Sequence, residues 1–421
     1  MILYKGKIYE NTEQSNLISK LKSDMTETIS KGTFPSYEKV IKACDVIYRK
    51  VMNHEYDDII LPLLEEMNIP FAMLDNYAKC FSEKGLMKKV ETELSDLLGG
   101  EKQIDESNTR KMYPLGILFH IPAGNMDLLP SYSVIEGLLT GNINILKLPS
   151  GDKGLSVRLL KELIDIEPEL SDYVYVFDVP SIETDTIKQL ADMSDGVIVW
   201  GGDGVSSAAR QFTDIHSSLI IWGHKISFDY ADENITDEEL VSIAKSVCMT
   251  NQLLCSSVQG IYLNTDKIED LRTFAKRFCT ILAQESEKSG TMPLTMKAKN
   301  TLIAYNGKLE GEDQNIFIEK GVSVYVSENP ELELSHMYRN VWVKPLLKDE
   351  IVKVLKKNKN ILQSVGVSEN VKDKEEIIES LISSGVVRIT KPGETSRMIP
   401  GEAHDGEYPL RRYIRIVERY K

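Results

Sequence analysis

From residue 115 onward, short apolar runs alternate with amphipathic stretches of helical length. The apolar runs are Gly116–Ile121, Ile143–Leu148, Tyr173–Phe177, Gly196–Trp200 and Ser218–Trp222. Strands that are buried on both faces of a parallel sheet give such runs, and helical crossovers connect them. The pattern therefore predicts a doubly wound α/β sheet of five strands with four crossovers, which binds its ligand outside the carboxyl ends of the strands.

The segments that flank this sheet have different patterns. Residues 12–98 are rich in charge and mostly helical in pattern, and we expect them to cover the sheet. Downstream, a predicted helix near Asp237–Met249 leads to strands near Val258–Leu263 and Val341–Lys344, which indicates a second α/β unit. The last thirty residues have the pattern of a loop and an exposed strand, which favours pairing with another subunit.

At 421 residues the chain exceeds the size of a typical single core, so more than one domain is expected. The four predicted parts are a mostly helical segment packing on the cofactor domain (1–111), a dinucleotide-binding domain (112–228), a catalytic domain (229–390) and a C-terminal tail that includes the exposed strand (391–421).

Charge and cysteine content exclude several function classes. The 50 basic and 64 acidic residues give a formal charge of −14, which disfavours binding to nucleic acid or to a membrane surface. Five widely spaced cysteines without a Cys-x-x-Cys pair favour a reducing cytoplasm over a disulfide framework. The chain starts with too short an apolar run for a signal peptide, and no 18-residue apolar run occurs, so we expect a cytoplasmic protein.

One cysteine lies in a setting that suits a nucleophile. Cys255 follows a helical pattern, precedes a strand and is flanked by small polar residues. A thiol reacts as its thiolate, which requires partial exposure and local positive potential. The other four, Cys44, Cys80, Cys248 and Cys279, are predicted to lie within helical patterns as small buried hydrophobes.

Polar residues at two strand ends have a functional and a structural interpretation. Asn125, in a Pro-Ala-Gly-Asn turn, is placed to donate to an oxyanion near a cysteine, or else to cap a helix. Lys147, near the end of the second strand and followed by Ser150, is placed to contact an adenosine ribose or its phosphate. The alternative is a solvated lysine at a strand end.

Glycine-rich turns at the strand ends indicate a dinucleotide. Gly201, Gly202 and Ser206 belong to a turn between a buried strand and a helix, where backbone N–H groups and the helix dipole receive a pyrophosphate. Pro122 and Gly223 begin two further loops at the same edge and are predicted cofactor contacts. No His, Asp or Glu cluster has metal-ligand spacing, so we predict no metal.

These motifs, taken in order, resemble those of a known superfamily. They are Pro122-x-Gly-Asn125, Asn144-Ile-Leu-Lys147-x-Pro-Ser150, Trp200-Gly-Gly202, Gly223-His-Lys225 and Asn251-Gln-x-x-Cys255. The order is similar to that of the aldehyde dehydrogenase superfamily. Gln252-x-x-Cys255-Ser-Ser, the tail motif His404-Asp405-Gly406 and the late Arg415 resemble its acyl-CoA reductase branch, the LuxC-type fatty-acyl reductases.

The resemblance implies a fold and a role for each motif. The expected fold is a Rossmann-type cofactor domain, a second α/β catalytic domain and a strand-like tail. By the resemblance, Cys255 accepts the acyl group and Asn125 donates to the oxyanion. Lys147 and Ser150 line the adenosine ribose, and Gly201 and Gly202 border the pyrophosphate.

The chain departs from the superfamily at two positions. Hydrolytic members carry a glutamate that activates water where this chain has Ile221, so the resemblance favours transfer of the acyl group between thiols. The Glu-x-Phe-Gly-Pro motif that contacts the nicotinamide ribose is matched only loosely, by Arg339-Asn-Val-Trp-Val-Lys-Pro345.

The resulting prediction is an NAD(P)H-dependent reductase that converts an acyl-CoA, or another acyl thioester such as an acyl-protein, to the aldehyde through an acyl-cysteine. NADPH is favoured over NADH because Ser150 adds no acidic group beside the ribose. A homo-oligomer and an acyl-activating partner enzyme are expected. The alternatives are a coenzyme A-acylating aldehyde dehydrogenase working in the oxidative direction, a redox-silent acyl-transferring protein and a catalytically silent scaffold.

Overall fold

The computed structural model describes residues 1–67, 78–123, 129–290 and 292–420. In chain order its helices are α1 (Gln14–Ser30), α2 (Tyr37–Met52), α3 (Asp57–Met67), α4 (Glu83–Leu94), α5 (Leu129–Leu139), α6 (Leu155–Ile166), α7 (Thr184–Ala191), α8 (Asp203–Phe212), α9 (Asp237–Thr250), α10 (Ile268–Lys288), α11 (Leu294–Gly307), α12 (Ile351–Leu355), α13 (Lys374–Ser384) and α14 (Pro409–Arg412).

The strands follow the same chain order. They are β1 (Ile2–Tyr4), β2 (Lys7–Tyr9), β3 (Lys102–Gln103), β4 (Asn108–Pro114), β5 (Ile117–Ile121), β6 (Ile143–Lys147), β7 (Val174–Phe177), β8 (Gly196–Trp200), β9 (Ser218–Trp222), β10 (Ile226–Ala231), β11 (Val258–Leu263), β12 (Ile316–Glu319), β13 (Val322–Val326), β14 (Asn340–Pro345), β15 (Leu362–Val367), β16 (Arg388–Thr390) and β17 (Ile414–Tyr420).

The chain divides into two compact units. The first comprises the described parts of Met1–Ile60, Asp75–Gly223 and Met398–Lys421, and the second those of Leu61–Leu74 and His224–Arg397. Compactness alone does not define a domain that folds independently. The limits that the sequence suggests for the four parts therefore stay predictions.

The first unit contains the predicted doubly wound sheet. Its strand order is β2-β1-β7-β6-β5-β8-β9, and β5 to β9 pair in parallel. Side chains such as Ile145, Val176 and Val197 are fully buried, and each such side chain contributes roughly 1.5–3 kcal/mol to folding. The chain runs from β5 outward to β7, then returns to β8 on the other side of β5. The predicted α/β class and the doubly wound sheet of five parallel strands are thus confirmed.

One edge of this sheet is formed by two strands, β1 and β2, that the sequence pattern did not predict. β1 pairs antiparallel with β7 and with β2, and a turn at Lys5 and Gly6 joins β1 to β2. Both turn residues have positive φ, which a tight hairpin turn requires. Strands of three residues are too short to show a period-2 pattern.

The second unit contains a seven-stranded sheet with the order β12-β13-β14-β11-β10-β15-β16. Its neighbouring strands pair in parallel, except that β12 and β13 pair antiparallel. The two faces of the sheet carry separate hydrophobic clusters, one including α9 and α10 residues and one including α12 and α13 residues. β10, an interior strand between β11 and β15, has fully buried side chains such as Phe228 and Tyr230.

A small antiparallel sheet in the first unit holds the C-terminal tail. Its order is β17-β4-β3, and β17 pairs with β4 from Ile414↔Pro114 to Tyr420↔Asn108. The Glu93 carboxylate accepts from the Leu410 N–H at 2.8 Å, which ties α14 to α4. The predicted tail strand exists and pairs within its own chain. Its pairing with another subunit stays a prediction.

Candidate active site

Cys255 is exposed, whereas the other four cysteines are buried. Burial raises the pKa of Cys80 and Cys248 to about 11 and that of Cys279 to about 12, and it raises the pKa of Cys44 further. A thiol with a raised pKa carries little thiolate at neutral pH, so these four are poor nucleophiles. Exposure therefore singles out the cysteine that the sequence motif predicts.

The turn that carries Cys255 begins with two residues in the left-handed region. Asn251 has φ 46° and Gln252 has φ 63°, which is uncommon for residues other than glycine. Such a conformation persists where surrounding contacts hold it. The Gln252 amide donates to Asn340 O at 2.9 Å and to Val258 O at 3.1 Å, and its oxygen accepts from the Asn340 N–H at 3.1 Å. Gln252 therefore fixes the shape of the turn.

Arg339 adds a second support to the turn. Its guanidinium is buried and donates to Asn251 Oδ1 at 3.3 Å, Ser286 Oγ at 2.7 Å and Gly290 O at 2.7 Å. It begins the segment that only loosely matches the ribose-binding motif. These contacts give Arg339 a structural role.

Two side chains that the sequence motifs did not include contact Cys255. Gln363 on β15 places its Nε2 atom 3.3 Å from Cys255 Sγ. Ser227 on β10 donates to Cys255 O at 2.9 Å. Both residues lie near the amino ends of their strands, and Cys255 precedes the amino end of β11. A resemblance based on loop motifs gives no signal for side chains on neighbouring strands.

Asn125 lies outside the described residues, within the gap at 124–128. Its assignment as an oxyanion donor stays a prediction. Pro122, which is described, follows the last residue of β5 and is buried.

The predicted cofactor loops meet at one edge of the first sheet. Pro122 follows β5, Lys147 ends β6, Gly201 follows β8 and Gly223 follows β9. Because these parallel strands are neighbours in the order β6-β5-β8-β9, their carboxyl ends share that edge. The strand order reverses between β6 and β8 around β5, which is where doubly wound sheets bind their ligands.

The glycine turn after β8 has the form of a pyrophosphate site. Gly202 is the N-cap of α8, and Ser206 lies in the next turn of that helix, where its hydroxyl donates to Gly201 O at 3.4 Å. Among the described residues, no atom lies within 4 Å of the place where a Cβ on Gly202 would stand. Neither glycine has a positive φ. Packing and backbone conformation therefore leave both glycines unexplained, and close approach of a phosphate to the backbone fits them.

Lys147 differs from the solvated lysine that was the alternative to a ribose contact. Its side chain is buried, and Nζ donates to Leu148 O at 3.2 Å. Burial lowers the pKa of Lys147, and the Asp178 carboxylate opposes that shift. Ser150 is exposed. Nearby Asp152 accepts from the Gly154 N–H at 2.7 Å and from the Ser156 N–H at 3.4 Å, at the start of α6.

A buried chain of hydrogen bonds supports the strand that precedes the glycine turn. The Trp200 indole N–H donates to Ser133 Oγ at 3.1 Å, and Ser133 Oγ lies 2.7 Å from His120 Nδ1. His120 Nε2 lies 3.0 Å from Asn144 Oδ1. Burial lowers the pKa of His120 to about 4, so the ring is neutral at physiological pH. One ring nitrogen then donates a hydrogen bond and the other accepts one. None of the sequence motifs includes His120 or Ser133, so this set of hydrogen bonds had no sequence signal.

The tail motif lies in the first unit against two tryptophans. The His404 ring is centred 5.0 Å from that of Trp200 and 4.9 Å from that of Trp222. These tryptophans end β8 and β9. His404 therefore packs at the edge of the sheet where the predicted cofactor loops begin.

Neither a metal site nor a membrane-spanning helix occurs among the described residues. In those residues, no group of three or more His, Cys, Asp or Glu side chains is arranged to hold a metal ion. The helices of the same part of the chain include none with the length and apolar character needed to cross a membrane.

The chain matches one protein family over most of its length. The family model described as acyl-CoA reductase (LuxC) covers residues 34–416. A long-chain acyl-protein thioester reductase of Vibrio harveyi is 25% identical over 347 residues, which are 80% of this chain and 71% of that protein. One from Aliivibrio fischeri is 27% identical over 323 residues, which are 73% of this chain and 64% of that protein.

Solved structures share the fold at low sequence identity. Glyceraldehyde-3-phosphate dehydrogenase GapN of Methanocaldococcus jannaschii, complexed with NADP, has a TM-score of 0.73 at 9% identity and covers 98% of this chain and 95% of its own. Aldehyde dehydrogenase 21 of Physcomitrella patens has a TM-score of 0.71 at 11% identity, over 96% of this chain and 90% of its own. The motif resemblance to the LuxC-type reductases is thereby confirmed: the chain shares the fold of aldehyde dehydrogenases and belongs to the acyl-CoA reductase (LuxC) family.

Proposed function

We propose that this protein is a nicotinamide-dependent acyl thioester reductase that releases an aldehyde through an acyl group held on Cys255. The observation that carries the proposal is that Cys255 is exposed on a turn held by buried contacts, whereas the other four thiols are buried. The family match and the names of the relatives agree with thioester chemistry.

The first half-reaction needs only this chain and the acyl thioester. The Cys255 thiol loses its proton to water, and its sulfur forms a bond to the acyl carbon. The bond between that carbon and the carrier sulfur breaks, and the carrier leaves as a thiolate. The negative oxygen formed on the way needs preorganised donors. The Asn125 amide is the proposed donor, by the resemblance.

The second half-reaction returns Cys255 to its starting state. When bound, a reduced nicotinamide cofactor would supply a hydride to the acyl carbon. Addition of that hydride would leave a thiohemiacetal oxyanion on Cys255, whose oxygen re-forms the carbonyl as the aldehyde leaves. The electron pair of the broken carbon–sulfur bond returns to the cysteine sulfur, which takes up a proton from water.

The first sheet offers residues that fit such a cofactor. Gly201, Gly202 and the first turn of α8 suit the pyrophosphate, because no packing need explains the two glycines. Buried Lys147 suits the adenosine ribose or a 2′-phosphate on it. Asp152, the acidic residue nearest Ser150 in sequence, already accepts two N–H groups of α6. We therefore favour NADPH over NADH.

The acyl carrier is either coenzyme A or a protein. The family description names acyl-CoA, whereas the relatives from Vibrio harveyi and Aliivibrio fischeri are named for acyl-protein thioesters. Both present the same thioester to Cys255. If the carrier is a protein, we expect an acyl-activating partner enzyme to load it.

One alternative is supported by a particular residue. Ile221 on β9 cannot activate water, so an acyl-cysteine here would favour exchange with a second thiol. That property also suits a coenzyme A-acylating aldehyde dehydrogenase working in the oxidative direction.

An assay of turnover decides among these functions. Acyl-CoA and an acyl-carrying protein with the same acyl chain are offered separately, with NADPH or NADH, and both nicotinamide absorbance and trapped aldehyde are measured. We expect one aldehyde for each cofactor oxidised, with at least one of the carriers. Acyl transfer without cofactor oxidation would identify a redox-silent transferase. Faster oxidation of aldehyde plus coenzyme A would identify the reverse enzyme.

A further inference from the structure

The carboxamide of Gln363 lies at hydrogen-bonding distance from the reacting sulfur. Its Nε2 atom is 3.3 Å from Cys255 Sγ, although the two residues are 108 positions apart in the chain. The Gln363 side chain is almost completely buried, whereas Cys255 is exposed. A buried carboxamide needs partners for its donors and its acceptor, so its orientation is set by the protein.

Irregular strand pairing places Gln363 there. β10 pairs with β15 in a register that shifts between Ile226 and Phe228, and with β11 in a register that shifts between Ser227 and Asp229. Each neighbouring strand therefore has one extra residue beside Ser227. Bulges of this kind change the direction of a side chain and occur near active sites.

Ser227 supports one orientation of the Gln363 carboxamide. Its hydroxyl accepts from the Ser364 N–H at 3.1 Å. It shares its single proton between Cys255 O at 2.9 Å and Gln363 Oε1 at 3.3 Å. With the amide oxygen accepting from the Ser227 hydroxyl, the NH₂ group faces the sulfur. The same serine thus holds the backbone of the nucleophile and the group that contacts its side chain.

Charged side chains on the neighbouring strands make other contacts. Asp229 on β10 accepts from the Gly393 N–H at 3.3 Å, and Arg388 on β16 donates to the carbonyl oxygens of Thr395 and Arg397. Lys225, before β10, donates to Asn360 O at 2.8 Å. The Gln363 carboxamide that contacts the sulfur is neutral and stays a donor at every physiological pH.

We propose that Gln363 is a catalytic residue that donates an N–H to the Cys255 sulfur whenever that sulfur carries negative charge. The proposal rests on the proposed function, in which the sulfur is a thiolate twice. It becomes one when the thiol loses its proton to water before attack, and again when the carbon–sulfur electron pair returns to it as the aldehyde forms. A hydrogen bond to a charged acceptor is stronger than one to a neutral acceptor, so Gln363 favours both states.

Alkylation of Cys255 by iodoacetamide tests this without acyl substrate or cofactor. The rate at Cys255 is followed by peptide mass across pH in the wild type, Gln363→Met and Gln363→Glu. Met keeps the length of the side chain without its donor, and Glu places a negative oxygen beside the sulfur. We expect the midpoint of the rate curve to rise by about one pH unit in Gln363→Met, which is about tenfold less thiolate below both midpoints, and further in Gln363→Glu.

A matched control uses Gln259, a second buried glutamine, which lies on β11 directly after the turn that carries Cys255. The Gln259 amide donates to Gln252 O at 3.1 Å and to Ser257 O at 3.5 Å, away from the sulfur. We expect Gln259→Met to leave the midpoint in place. Equal midpoints in wild type and both Gln363 variants, or an equal shift in Gln259→Met, would overturn the proposal. A shifted midpoint in a protein that never forms acyl-enzyme would keep the role of Gln363 and refute the proposed function.

Discussion

At the residue scale, the proposed mechanism assigns to Ile221 the resistance of the acyl-cysteine to hydrolysis. Ile221 stands on β9 where the resemblance places a water-activating glutamate. We expect the wild-type acyl-enzyme to release little free acid when no reduced cofactor is present, and Ile221→Glu to release more. Ile221→Gln, which has the shape of glutamate without a base, is the control. The ratio of free acid to aldehyde measures the effect, and abundant acid from the wild type would contradict the account.

Lys147 is expected to distinguish between the two nicotinamide cofactors. Its ammonium is buried near the carboxyl end of β6, where salt screens a charge less than at the surface. If Lys147 pairs with the 2′-phosphate, Lys147→Met is expected to weaken the binding of NADPH more than that of NADH, by about 1–2 kcal/mol. Dissociation constants for both cofactors measure this. Lys153→Met, at an exposed position, controls for net charge, and equal losses for both cofactors would limit Lys147 to the ribose hydroxyls.

The buried His120 is expected to lower the free energy of unfolding in acid. Its pKa is about 4 in the folded protein against 6.5 in the unfolded chain, because the ring is buried. As pH falls, His120 is therefore protonated in the unfolded chain before it is protonated in the folded protein. The free energy of unfolding that His120 contributes is fully present above pH 6.5 and is lost as pH falls towards 4. The full loss is about 3 kcal/mol. Chemical denaturation across this range is expected to show a smaller loss in His120→Gln, and the exposed His216→Gln is expected to behave like the wild type.

At the element scale, the sequence predicted strands better than the contacts between them. The predicted runs at Tyr173–Phe177, Gly196–Trp200 and Ser218–Trp222 are apolar, and the structure confirms them as strands within a residue. The bulges beside Ser227 arise from pairing between strands that are far apart in the chain. Gln363 and Ser227 therefore had no local signal, whereas Cys255 had one in its flanking small polar residues.

β10 also carries a buried carboxyl group that couples the strand to the loop at Gly393. Burial raises the pKa of Asp229 well above its usual range, and its Oδ1 accepts from the Gly393 N–H. Because the folded pKa is raised, the associated stability is complete at low pH and is lost as pH rises through that value.

Asp229→Asn is expected to remove this dependence. The variant should gain in free energy of unfolding relative to the wild type as pH rises from 5 to 9, because its amide stays neutral. Asp266→Asn makes the same change at an exposed position and serves as the control. A difference between Asp229→Asn and the wild type that is constant with pH would show that Asp229 is ionised in the folded protein throughout this range.

At the scale of the whole molecule, we propose that each unit contributes a different part of the chemistry. The first unit has a doubly wound sheet whose loops fit a dinucleotide, and the second has Cys255 before β11. The motif order along the chain predicts this separation of cofactor binding from acyl transfer, and it stays a prediction. The motifs contain no signal for the sheet edges, where β1 and β2 join the first sheet and the tail strand β17 pairs with β4.

The most direct test of the account is the intact mass of the protein after incubation with an acyl thioester, first without and then with NADPH. We expect the wild type and Cys248→Ala to gain one acyl group each and Cys255→Ala to gain none. We expect the acyl group to be released as aldehyde once NADPH is added. Acylation that survives Cys255→Ala, or an acyl group on Cys255 that persists after reduced cofactor is added, would contradict the account.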